Sequence, residues 1–100
     1  MLKIEFTGQF RRDYKLALKR GFNERDLTTV VSLLASGQPL PSKYRDHALE
    51  NSRNYKNVRE CHIKPDWLLI YKVYSDRLVL ELIRTGTHSD LFWLIPRTSG

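Results

Sequence analysis

One hundred residues suffice for a single domain with one modest core and exclude two independently stable ones. Seventeen Lys and Arg against eleven Asp and Glu leave a formal charge of +6, which attracts polyanions and makes nucleic acid the first partner to consider, with an acidic protein as the plain alternative. The lone Cys61 precludes an intramolecular disulfide and fits a reducing compartment, and no apolar run approaches the ~20 residues of a membrane helix, so a cytoplasmic protein with no membrane contact is expected.

In chain order, "LKIEF" alternates with period two and predicts a short strand with Leu2, Ile4 and Phe6 on one face. Thr7 is placed to cap a helix carrying Phe10, Tyr14, Ala17 and Leu18 inward, with Arg11, Arg12, Lys15 and Lys19 on the outer side, until Gly21 stops it. Asn23 caps a second helix through Leu27, Val30, Val31 and Leu34, ended by Ser36 and Gly37, so the two form an antiparallel hairpin. Gly37, Pro39 and Pro41 open a long polar loop that runs to Asn54, a length more often functional than accidental. Three strands follow, "YKNVRECHI", "DWLLIYKVY" and "RLVLELIRT", joined by links so short that they form an antiparallel meander. The expected fold class is α+β, an N-terminal strand and a helical hairpin packed on an antiparallel sheet, with a short helical turn in "THSDLF".

Tight turns fix which strand ends are neighbours. Reversals at Lys64–Pro65 and Ser75–Asp76 bring His62, Asp66, Trp67 and Arg84 to one end of the sheet, within a residue or two of register. A helical turn after Gly86 sets His88 and Phe92 on one face. The loop segment "KYRDH" supplies Lys43, Arg45 and His47 to the same end. Taken singly, each histidine reads as a hydrogen-bonded structural residue, Trp67 and Phe92 as packing, and Arg84 as a partner of Glu60 or Asp66; their convergence favours a site.

Two chemistries suit three histidines with an aspartate. Zinc ligation lacks the compact ligand spacing of known motifs and is opposed by the nearby cations, so no metal and no cofactor are expected. Metal-independent RNA cleavage fits better: a base removes the 2′-hydroxyl proton, cations stabilise the phosphorane, and an acid protonates the leaving 5′-oxygen. Histidine serves either proton-transfer role, arginine can grip two phosphate oxygens, and Trp67 or Phe92 can stack an unpaired base.

The segments "PLPSKYRDHAL", "ECHIKPDWLLIYKV" and "LIRTGTHSDLF", in that order after two helices, resemble the YafQ branch of the RelE superfamily of toxin–antitoxin ribonucleases, from the first strand through Phe92. That resemblance implies a RelE-like toxin domain over residues 1–92, with 93–100 a tail, native or a remnant of expression. It further implies a toxin that cuts mRNA in the ribosomal decoding site and is silenced by a DinJ- or RelB-like antitoxin, in a complex expected to be heterotetrameric. Matched motif by motif, it gives His47, His62, Asp66, Arg84, His88 and Phe92 as active-site residues. His88 is expected as the acid, His62 or Asp66 as base or its orienter, His47 as substrate support and Arg84 as phosphate clamp. Lys43, Arg45 and Trp67 are expected to touch substrate, and Arg11, Arg12, Lys15 and Lys19 ribosomal RNA. The same scaffold also carries ParE-like gyrase toxins, and a non-catalytic RNA- or antitoxin-binding module is a further alternative.

Overall fold

The computed structural model describes residues 1–49 and 57–91. Its elements are β1 (Lys3–Phe6), α1 (Gly8–Lys19), α2 (Glu24–Ala35), a 3-10 turn (Ser42–Tyr44), β2 (His47–Ala48), β3 (Arg59–Lys64), β4 (Trp67–Tyr74), β5 (Val79–Gly86) and α3 (His88–Leu91). Both expected caps form. The Thr7 hydroxyl accepts from the Phe10 amide at 2.9 Å, and Asn23 Oδ1 accepts from the Arg25 amide at 2.8 Å. Gly21, at φ 88°, supplies the left-handed turn that separates the two helices.

The expected antiparallel meander forms as β3–β4–β5, and the sheet extends beyond it on both sides. It has five strands in the order β1-β5-β4-β3-β2, and β1 runs parallel to β5, with Lys3 opposite Val79 and Phe6 opposite Leu82. Alternation in "LKIEF" signals a strand but carries no information about its partner or direction; the helical hairpin returns the chain to place that partner. As an edge strand β1 is exposed, with Ile4 44% and Phe6 48% accessible, so the face expected to be buried is half open. Phe6 lies instead under the Arg11 guanidinium and beside Phe10. The described part of the long loop, up to residue 49, contains the 3-10 turn and the β2 pairing of His47 with Glu60.

Both sheet faces are covered. On the helix side Phe10, Ala17, Leu27, Val30 and Leu34 pack against Cys61, Trp67, Leu69, Tyr71 and Leu80. Cys61 is fully buried, and burial pushes its thiol up to about 12, so it is an inert core residue. Leu49, Val58 and Leu91 close over Leu68, Ile70 and Ile83 on the other side. A bulge at Ile70–Tyr71 makes Ile70 face Arg84 while Tyr71 faces Leu82, leaving Ile83 as the extra residue on β5.

Candidate active site

Asp66 sits in the β3–β4 turn, where Oδ1 accepts from the His88 amide at 2.8 Å and contacts the His88 ring Nδ1 at 2.6 Å. The His88 amide, then its ring, hold the Asp66 carboxyl below its ordinary value. With Nδ1 committed, His88 Nε2 is the nitrogen left for chemistry, on a side chain that is 44% exposed.

His88 is held from behind as well. Thr87 and Asp90 form a reciprocal cap, in which the Thr87 amide donates to Asp90 Oδ2 at 2.9 Å and the Asp90 amide donates to Thr87 Oγ1 at 3.1 Å. Arg20, at the end of α1, donates to the same carboxylate at 2.6 Å. A Cβ on Gly86 would lie 2.9 Å from Asp90 Oδ2, so the missing side chain leaves room for that carboxylate; its φ is not positive, and the chain passes from β5 into the expected helical turn as α3. Leu91, fully buried, plugs α3 into the sheet.

The His62 ring lies 5.4 Å from that of His88, edge on. Behind it Glu60, 4% exposed, directs Oε1 to His62 Nε2 at 3.6 Å and to His47 Nε2 at 3.2 Å. Glu60 Oε2 is buried without a hydrogen-bond partner among the described residues. His47 is oriented through Nδ1, which donates to the Arg45 carbonyl at 2.8 Å, and Arg45 adopts φ 49°, a left-handed conformation rare outside glycine. Asp46 fastens this segment to the sheet by accepting from Arg59 and from the Tyr71 hydroxyl. All three histidines therefore share one corner. Beside it opens a cleft of about 480 Å³ lined by His62, Ile63, Lys64 and Pro65, by Lys43, Tyr44 and Arg45, and by Asp26 and Thr29.

Residues 2–93 match the family model described as "Bacterial toxin of type II toxin-antitoxin system, YafQ". The chain belongs to the YafQ toxin family. It is 47% identical over 90 residues to the mRNA interferase toxin YafQ of Escherichia coli BL21-DE3, an alignment spanning 89% of this chain and 94% of that one. Among solved structures, the metal-bound toxin from Helicobacter pylori matches at TM-score 0.85 and 46% identity, covering 92% of this chain and all of the other. The toxin in the E. coli DinJ–YafQ complex matches at TM-score 0.82 and 42% identity, covering 92% and 99%.

Of the residues that likeness to YafQ toxins implicates, His47, His62, Asp66 and His88 come together as expected, and Lys43 and Arg45 line the adjoining cleft. Two do not take the places expected for them. Arg84 donates through Nε and Nη2 to Asp13 of α1 at 2.7 and 3.1 Å, and lines a second cavity of about 180 Å³ with Asp13, Arg20, Gly86 and Asp90 rather than the histidine cleft. Trp67 is 1% exposed: its Nε1 donates to Thr85 Oγ1 at 2.8 Å and its ring packs on Phe22, so it is core and offers no face to a base. Phe92 and residues 93–100 lie outside the described residues. Arg11, Arg12, Lys15 and Lys19 are exposed along α1, whereas Arg20 is occupied by Asp90. Among the described residues no three His, Cys, Asp or Glu side chains form a metal-holding group, and no helix is long and apolar enough to cross a membrane. Sequence reasoning missed Glu60 as the residue between two histidines, and Asp90, which the T-x-x-D spacing of a capping box would have revealed.

Proposed function

We propose that this chain is the toxin of a type II toxin–antitoxin pair and an endoribonuclease that cleaves mRNA on the ribosome by metal-independent acid–base catalysis. The observation that carries the reading is the Asp66–His88 pair beside His62. Asp66 fixes the His88 ring through Nδ1 and leaves Nε2 toward solvent, the arrangement a general acid needs to deliver a proton to a leaving 5′-oxygen. Because Asp66 is committed to His88, it serves as orienter, and His62 is the base for the 2′-hydroxyl. The 2′-oxygen attacks the adjacent phosphorus and the P–O5′ bond breaks, leaving a 2′,3′-cyclic phosphate and a 5′-hydroxyl. Glu60 orients His62 and His47, and Lys43 and Arg45 neutralise phosphate charge. The similarity to an mRNA interferase toxin of E. coli supports mRNA cleavage as the activity, and the DinJ–YafQ complex supports an antitoxin of that class as the inhibitory partner. A heterotetramer is the assembly we assign to the inhibited form.

The test is a translation reaction in which mRNA 5′ ends are mapped by primer extension, with and without ribosomes. Wild-type protein should cut within codons only when ribosomes are present, and folded His88→Ala should lose at least about 100-fold in rate. Equal cutting by His88→Ala removes the central role. Absence of cuts by folded wild type, with inhibition of gyrase, would assign the ParE-like activity instead.

A further inference from the structure

The cleft beside His62 has two walls of unlike chemistry. Lys43 and Arg45 from the 3-10 turn and Lys64 from the end of β3 supply cations; Asp26 and Thr29, one helical turn apart on α2, supply acceptors. The Thr29 hydroxyl donates its proton to the Arg25 carbonyl at 2.9 Å, which leaves its lone pairs for a ligand. Asp26, one-third exposed, has Lys64 Nζ at 3.6 Å, an open surface pair that a ligand can part at little cost. A phosphate would be repelled from the α2 wall and drawn to the cationic one. About 480 Å³ accommodates one nucleoside.

We propose that this cleft is a base-reading subsite for the nucleotide next to the cleaved bond, with Asp26 and Thr29 selecting a base that carries an exocyclic amino group. The assignment rests on the nuclease reading for its substrate. His62 lines the cleft and also belongs to the histidine corner, so a strand crossing from one to the other passes from base recognition to chemistry. Two acceptors favour the amino group of cytosine, adenine or guanine and disfavour uracil, which carries none. Lys43, Arg45 and Lys64 hold the flanking phosphates whatever the base.

Uncleavable 2′-O-methyl oligo-C and oligo-U separate the amino group from stacking, because the two pyrimidine rings are of one size. Fluorescence anisotropy with the full chain should give about tenfold tighter binding of oligo-C. Asp26→Asn and Thr29→Val should each bring the ratio below about threefold, while Lys64→Met weakens both ligands equally. Equal binding of the two by wild type, binding of neither, or a ratio unchanged in Asp26→Asn overturns the subsite. Mapping cut sites on the ribosome with wild type and Asp26→Asn keeps the two readings apart: a base preference in binding without cleavage defeats the nuclease and keeps the subsite, and cleavage with an identical cut spectrum for both proteins does the reverse.

Discussion

At the scale of single residues, Asp66 and Arg84 illustrate how one sequence pattern yields opposite outcomes. Asp66 lies at a turn tip and meets His88, and the sequence drew both to one end of the sheet without pairing them, offering Arg84 as the partner of Asp66 instead. Asp66→Asn is expected to leave melting temperature and KM in place and to lower kcat about 100-fold, as measured by single-turnover cleavage, because the amide no longer fixes the ring's tautomer; an unchanged kcat would remove Asp66 from the mechanism. Arg84 was misplaced because its partner Asp13 sits 71 positions away on another element, and the bulge at Ile70 shifts β5 by one residue. Both side chains of that pair are nearly buried, 13% and 10% exposed. Arg84→Ala removes the cation and leaves Asp13 to the Gln9 and Thr85 donors, and should cost about 1.5–3 kcal/mol in urea unfolding, whereas a clamp that acted only on substrate would leave stability unchanged.

At the scale of elements, α3 is four residues long, too short to hold itself together, and it is assembled by its surroundings. Thr87 and Asp90 cap it, Arg20 reaches from α1 to fix the cap, and Leu91 anchors its far end. Arg20, then the Thr87 amide, hold the Asp90 carboxyl below its ordinary value. A carboxylate lowered on folding stabilises above its unfolded value and loses that contribution as pH falls through the folded one. The melting-temperature gap between wild type and Asp90→Asn should therefore be flat from pH 8 to about 5 and close below about 4; a gap that narrows near neutrality would contradict the pairing. Gly86→Ala forces a Cβ against the same carboxylate and is expected to cost about 1–3 kcal/mol and to slow cleavage by displacing His88. The helices and the meander were readable from period and caps, as Thr7 and Asn23 show. The two-residue β2 was hidden in a polar loop because its pairing depends on β3 and not on any pattern of its own.

At the scale of the molecule, charge and site face the same class of ligand. Arg11, Arg12, Lys15 and Lys19 are exposed along α1, and we propose that they supply sequence-independent attraction for ribosomal RNA. Changing all four to Gln should weaken ribosome association and flatten its dependence on log salt by about three, at roughly 0.7–0.9 per phosphate contact. An unaltered slope would assign that helix face to solvent. The parallel placement of β1 against β5 was beyond the reach of local pattern and is the largest departure from the expected architecture.

That pairing also dictates the order in which the fold can close. The Thr7 hydroxyl, which begins α1, donates to the Ile83 carbonyl at 2.8 Å across 76 positions of chain. A nascent chain emerges from its first residue onward, so the sheet stays open on one side until β5 has left the ribosome, and His88 follows β5. The Asp66–His88 pair is thus among the last contacts of the described residues to form, because it waits on the same strand that closes the sheet over β1.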